Sequence, residues 1–321
     1  MNQPVESNRP PRILVVRGGA IGDFILTLPA IGALRGRWPD AHIEILGYSH
    51  IIELARGRYY ADAVRSIEAR AMAGFFVPNG LLDAALSAYF RSFDLVVSYL
   101  FDPDHIFADN VRRCGARQVI EASPRPHSAH AAEHYCKPLE TLAIYVETAV
   151  PRLFLTEEDR AAAGRWLGNR GTEPLVAVHP GSGSDRKNWP AEKFAVVARW
   201  LVEKRGAQLL VVQGEADTTV VGEFLRLIKP QTARIAVGLN LVELAALLEQ
   251  CVLFLGNDSG ITHMAAAVGI PTIALFGPFS FPIWKPRPWR AEVRVIAFGD
   301  EDVTRVCQAV NELWPPQNVV D

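Results

Sequence analysis

Short, near-continuous apolar runs that alternate with helical patterns, in two successive sets, predict an α/β chain made of two doubly wound parallel-sheet domains. Three observations carry that expectation. The runs are three to five residues long and mostly apolar, as in strands covered on both faces. Helix-length segments with apolar residues every three or four positions lie between them. The whole strand–helix pattern then starts again near the middle of the chain, which suggests a second domain of the same kind.

In the first half, strands are predicted at 13–16, 43–46, 95–99 and 118–120, with helices at 23–37 and 81–91. The break is set near Pro151, giving domains 1–152 and 153–321. Residues 151–155 read as an extended connector, and Thr156-Glu157-Glu158-Asp159 as a capped helix start with acids in its first turn. In the second half, strands are predicted at 175–179, 209–212, 252–255, 272–275 and 293–296, with helices at 191–204, 220–228, 241–250 and 302–313. The Pro- and aromatic-rich stretch 278–289 reads as an ordered loop.

At 321 residues the chain is long enough for two ordinary domains. A net charge of −2 supplies no basic field for nucleic acid. Cys114, Cys136, Cys251 and Cys307 form no C-x-x-C pair and suit a reducing, cytoplasmic compartment better than a disulfide framework or a zinc site. The polar N-terminus lacks the apolar centre of a signal peptide, and no apolar run is long enough to span a bilayer. Peripheral membrane contact stays open.

Chemistry concentrates in loops that follow strands, where open parallel sheets collect ligands. In Gly256-Asn257-Asp258-Ser259-Gly260 a buried strand opens into a helix that ends at Gly269 and Pro271. Free N–H groups and the positive end of the helix dipole there suit a phosphate, while Asp258 or Ser259 could equally serve as a plain cap. His263 falls in the first turn on that side. Residues 179–190 (HPGSGSDRKNWP) offer small residues and the hydroxyls of Ser182 and Ser184 to a phosphate, with Arg186 and Lys187 to neutralise it. An aromatic at Trp189 has to pack and would fix that loop. Glu215, in Gln213-Gly214-Glu215, could accept from ribose hydroxyls. The first loop is Arg17-Gly18-Gly19-Ala20-Ile21-Gly22-Asp23. A nicotinamide-dinucleotide reading wants G-x-G-x-x-G and an acid ending the second strand; here that strand ends in Leu46-Gly47-Tyr48. Asp23 reads either as an N-cap or as a base at the mouth of the site.

With these residues in view, the chain resembles the bacterial lipopolysaccharide heptosyltransferases of glycosyltransferase family nine. The matching stretches are Gly18 through Asp23 to Leu28-Pro29-Ala30, His179-Pro180-Gly181-Ser182 through Lys187-Asn188-Trp189-Pro190, and Gly256 through Gly260 to His263, followed by Gly269-Ile270-Pro271 and Phe276-Gly277-Pro278. The resemblance implies a GT-B fold, two Rossmann-like domains facing across a cleft. It implies an N-terminal acceptor domain and a C-terminal domain for a nucleotide-sugar donor, usually ADP-heptose. It further implies inversion at the anomeric carbon with no metal or other cofactor, and a lipid-linked or core-oligosaccharide acceptor on the cytoplasmic face of the inner membrane. Asp23 would be the general base. Lys187, Ser259 and Gly260 would hold the diphosphate, with Gly18, Gly19, Gly22, Ser182 and Ser184 lining the donor side. Asp258 and His263 would contact the donor sugar or phosphate, and Glu215 the ribose. Where the family usually continues with polar residues, 279–284 is apolar here.

Other readings stand beside this one. The same fold could take a UDP- or GDP-sugar, or bind a nucleotide sugar without turnover. Asp102-Pro103-Asp104 follows a strand and could hold a divalent cation, or Asp102 could cap a helix starting at Pro103. Arg125, His127 and His130 lie in a His-rich segment that is either an exposed loop or a site for an anionic acceptor. Residues 72–78 form either a lip near the membrane or part of the core.

Overall fold

The computed structural model describes residues 9–169, 171–228, 233–277, 281–299 and 302–314. The N-terminal octapeptide and Pro278-Phe279-Ser280 of the apolar stretch lie outside them. By contact density the chain divides into Met1–Ala20 with Leu26–Ala149, and Ile21–Ile25 with Val150–Asp321.

The first unit follows the order β1 (Arg12–Arg17), α1 (Ile21–Arg37), β2 (His42–Gly47), α2 (Ser49–Ile52), β3 (Ala63–Ser66), α3 (Ala84–Arg91), β4 (Leu95–Ser98), α4 (Ile106–Arg113), β5 (Val119–Glu121) and α5 (Ala131–Cys136). Its strands form one parallel sheet, ordered β3-β2-β1-β4-β5. The order reverses beside β1, so the loops after β1 and β4 flank a switch point. One face buries Leu14, Val16, Leu46 and Val96 under Met72, Phe75, Phe90 and Phe107.

The second unit runs through α6 (Glu157–Leu167), β6 (Leu175–His179), α7 (Ala191–Arg205), β7 (Gln208–Gln213), α8 (Thr218–Leu227), β8 (Ala233–Val237), α9 (Leu241–Glu249), β9 (Leu253–Asn257), α10 (Gly260–Val268), β10 (Thr272–Phe276), α11 (Phe281–Trp284), β11 (Val293–Ala297) and α12 (Asp302–Leu313). Its parallel sheet is ordered β11-β10-β9-β6-β7-β8. The switch point lies between β6 and β9, where His179 stands in register with Gly256. Strand residues at this centre are fully buried on both faces, as their continuous apolar sequence requires.

Most differences from the sequence reading are at boundaries. β3 and β8 were not anticipated: both are edge strands, half exposed and polar enough to leave no apolar run. β9 continues to Asn257, because the Asn257 side chain is tied to neighbouring loops and keeps the backbone extended. α1 starts at Ile21, which puts Asp23 inside the first turn rather than at the N-cap. α3 starts at Ala84, capped by Asp83, and leaves Leu81 exposed outside it. No helix begins at Pro103. The Asp102 carboxylate instead accepts from Phe107 N and Ala108 N, at 3.2 and 2.9 Å, and fastens the start of α4. Thr156 and Asp159 form the expected reciprocal cap of α6. Met72 and Phe75 belong to the core, while Phe76 and Val77 are exposed. All four cysteines are free thiols. Among the described residues no helix is long and apolar enough to cross a membrane.

Candidate active site

In the second unit the loops after β6, β7 and β9 converge at the carboxyl edge of the sheet, and Asn257 joins two of them. Its Oδ1 accepts from Trp189 N at 2.9 Å, and its Nδ2 donates to Pro180 O at 2.7 Å. Both ends of the 179–190 loop are thereby fixed to the last residue of β9. Trp189 fixes the loop from below. It is fully buried, packs edge-on against Phe194, and donates Nε1–H to Asp302 at 2.6 Å. Asp302 also takes Lys193 Nζ at 2.8 Å. Burial alone would raise the Asp302 pKa, but the Lys193 and Trp189 bonds outweigh it and hold the carboxyl below its ordinary value.

On this frame Lys187 Nζ sits 3.0 Å from the buried carboxylate of Asp258, although about half of the lysine side chain remains exposed. Ser259 caps α10 and accepts from Thr262 N at 3.4 Å. Ser182 Oγ lies 2.7 Å from Asn188 Oδ1 and accepts from Ser184 N, so it braces the loop, while Ser184 itself is exposed. Glu215 is exposed at the start of the short turn Glu215–Asp217.

Residues Ile21–Ile25, the first turn of α1, count with the second unit and pack on α10. A Cβ on Gly260 would lie 2.7 Å from Ile21 Cβ and 3.0 Å from Gly22 N; one on Gly22 would lie 3.1 Å from the His263 ring. Glycine at both positions is what allows the backbones to approach this closely. Asp23 follows Gly22 directly and is half-buried. His263 is buried.

Sequence reasoning missed a buried pair. His179, the last residue of β6, points Nε2 at Asp217 Oδ2 (2.8 Å) and Nδ1 at Ser259 Oγ (3.3 Å). Asp217 also accepts from Gly214 N at 3.2 Å. Burial would raise its pKa, yet His179 and that N–H hold it below the usual aspartate value. The available signal was a polar residue ending a fully apolar strand.

In the first unit Gly18 and Gly19 lie at the end of β1, with Gly19 at φ +98°. Arg125 is exposed and stacks 3.6 Å over the Phe101 ring. His127 is exposed, its ring 6.4 Å from that of His134. His130 is buried, and its Nδ1 accepts from Ala132 N at 3.2 Å to cap α5, so that end of the His-rich segment is not an exposed loop. Among the described residues no group of three or more His, Cys, Asp or Glu side chains is arranged to hold a metal.

Comparison with known proteins fits this geometry. Residues 97–311 match the family model of glycosyltransferase family 9 (heptosyltransferase). Lipopolysaccharide heptosyltransferase 3 of Escherichia coli K12 is 29% identical over 297 residues, covering 85% of this chain and 83% of that protein. The crystal structure of a family 9 glycosyl transferase from Veillonella parvula superposes with a TM-score of 0.79 at 22% identity, covering 94% of this chain and 97% of the other. The structure of E. coli ADP-heptose LPS heptosyltransferase II superposes with a TM-score of 0.73 at 20% identity, covering 94% and 98%. The structural likenesses establish the GT-B fold. With the family model spanning most of the chain, the protein belongs to glycosyltransferase family 9, the heptosyltransferases, and is a glycosyltransferase.

Proposed function

We propose that this enzyme transfers a heptose from ADP-heptose to a lipopolysaccharide-core acceptor, with inversion and without a metal. The observation that carries the reading is the Lys187–Asp258 pair at 3.0 Å beside the capped start of α10. It sets an ammonium and a helix N-terminus at the same sheet edge, suited to a diphosphate leaving group. ADP-heptose and lipopolysaccharide are the donor and acceptor for which its relatives are named.

As the sugar becomes oxocarbenium-like, negative charge grows on the departing ADP. Lys187, Ser259 and the N–H groups that begin α10 are fixed in advance to meet it. Asp23 takes the proton of the acceptor hydroxyl, a role worth about 10²–10⁴ in rate. Its support is its position next to Gly22, which packs on the first turn of α10. Gly18 and Gly19 serve donor binding, and Ser182 and Ser184 line the donor loop. Glu215 holds the ribose, while Asp258 and His263 face the donor sugar or phosphate. Arg125 and His127 take an anionic acceptor, with His130 holding the helix behind them. The work is done on the cytoplasmic face of the inner membrane. A UDP- or GDP-sugar donor, or binding without turnover, are the competing readings.

Calorimetric titration with ADP, UDP, GDP and NAD, chelator present, tests the donor. Selective ADP binding that weakens in Lys187→Ala and Glu215→Ala supports the proposal. Preference for UDP or GDP discards the heptose donor, and tight NAD binding overturns the reading altogether.

A further inference from the structure

In the first unit the stretch from Ala69 to Leu82 carries a single charged residue, Arg70. It lies ahead of residues 97–311, the part that matches the family model. Residues Arg70–Phe76 wind as 3₁₀ turns, and Met72 and Phe75 enter the core beside Phe90 and Phe107. The residues that follow face outward. Phe76 is 45% exposed, Val77 52% and Leu81 97%. Ala71, Ala73 and Pro78 are exposed as well. Large apolar side chains gathered this closely are a patch, not the scattered surface residues of any protein.

The loop is built to hold them there. Asn110, buried in α4, donates Nδ2–H to the carbonyls of Phe75 and Val77, at 3.0 and 2.9 Å. Its Oδ1 accepts from Arg113 at 2.6 Å, and Arg113 also donates to Gly80 O at 3.3 Å. A Cβ on Gly80 would run into the Gly74 carbonyl, and one on Gly74 into that of Leu81. The two ends of the loop therefore close backbone against backbone, which only glycine permits. Asn79 turns the tip at φ +50°. Phe76 lies on the ring of buried Phe107, with centroids 5.4 Å apart. Val77 and Leu81 cannot retreat into the core without breaking these bonds.

We infer that this loop docks the protein on a phospholipid bilayer, with Phe76, Val77 and Leu81 entering the acyl edge and Arg70 and Arg113 meeting headgroup phosphates. Leu81 stands almost wholly in solvent, so only a partner that closes around it from every side can cover it. A fluid bilayer does that, whereas a folded protein surface would need a matching pocket. The charges fit the same partner. Arg70 and Arg113 are exposed, and among the described residues neither is held in an ion pair. The acids bounding the stretch are Glu68 and Asp83, and the Asp83 carboxylate is turned to Leu86 N at 2.9 Å, where it caps α3. Arginine stems lie along apolar surface while their heads reach phosphate, and a few apolar side chains beside such cations make an interfacial anchor. This docking goes beyond the sugar transfer proposed above and is read without any sugar donor.

Co-sedimentation with phosphatidylethanolamine–phosphatidylglycerol vesicles tests it. Wild type is compared with a variant combining Phe76→Ser, Val77→Ser and Leu81→Ser, and with Leu81→Trp alone. Wild type is expected to partition onto the vesicles, and the triple variant to do so about 10- to 100-fold more weakly while melting as wild type does. Leu81→Trp emission should move to the blue on adding vesicles and be quenched by brominated acyl chains beyond the change seen in wild type. That signal reports entry of this loop rather than adsorption elsewhere, and it does not depend on the triple variant folding. Equal sedimentation of wild type and triple variant overturns the inference, as does absence of binding by wild type or a Leu81→Trp signal that vesicles leave unchanged. Self-association of wild type that the triple variant loses, without vesicle binding, also overturns it and makes the partner a second copy of the chain.

Discussion

Lys187 holds a half-exposed, flexible side chain 3.0 Å from a buried carboxylate, which is a poor investment in stability alone. Water reaches the half-exposed lysine and screens the pair, which keeps its contribution near the roughly 0–1 kcal/mol of surface pairs, and ordering the lysine chain works against even that. In the proposed donor site, an ammonium already in place loses less freedom when a diphosphate arrives. Lys187→Ala is therefore expected to change unfolding free energy by less than about 1 kcal/mol. The same variant weakens ADP binding by about 10- to 100-fold, as loss of a charged hydrogen bond does. Chemical denaturation and calorimetry on one preparation check both halves. Asp302 is the opposite case, a buried acid serving the frame. Its folded pKa lies below the ordinary aspartate value of 3.8, so its stabilisation is complete above that value and is lost as pH falls through the folded one. Below about pH 4, wild type should lose stability more steeply than Asp302→Asn, as read from denaturant midpoints across pH 2–5. Lys187, Asp258 and Ser259 were legible because each sits in a short local pattern. His179 and Asp217 were not: they meet from the ends of different strands, and neither neighbourhood signals the other.

At the scale of elements, one loop and its fastening decide the site. The 179–190 loop has little secondary structure beyond the turn Asp185–Lys187, and it is held by Asn257 above and Trp189 below. Trp189→Ala removes a fully buried indole and its bond to Asp302; a loss of about 3–5 kcal/mol is expected, measurable by urea denaturation. Trp189→Phe keeps most of the packing and gives up the bond to Asp302, so it should cost about 1–3 kcal/mol. If the two substitutions cost the same, packing is not what anchors the loop. The sequence predicted that Trp189 packs, because a large aromatic between Asn188 and Pro190 has no other use for its surface. Interior strands were readable for a related reason: burial on both faces demands an unbroken apolar run. β3 and β8 carry Arg65 and Arg234 and sit at sheet edges, so that demand is absent and the run never forms. Strand ends were misjudged where side chains of distant loops, such as the Asn257 contacts, extend the backbone beyond its apolar stretch.

At the scale of the whole molecule, two sheets of the same parallel plan each reverse strand order once, and each reversal coincides with a glycine-containing loop singled out from the sequence. In the first unit it follows β1 at Gly18-Gly19; in the second it lies between β6 and β9. Ligands of doubly wound sheets gather at such points, and alternation of strand and helix alone was enough to expect them. Strand order itself was not written in any segment, because it depends on which strand pairs with which across the sheet. The central proposal is that ADP-heptose is turned over here with Asp23 as the base. The direct measurement is ADP release from ADP-heptose in excess chelator with a lipopolysaccharide-core acceptor, for wild type and Asp23→Ala side by side. The account predicts acceptor-dependent release by wild type and a fall of about 10²–10⁴ in kcat for Asp23→Ala, with donor affinity unchanged. Full turnover by Asp23→Ala, or release from a UDP-sugar and not from ADP-heptose, would contradict it.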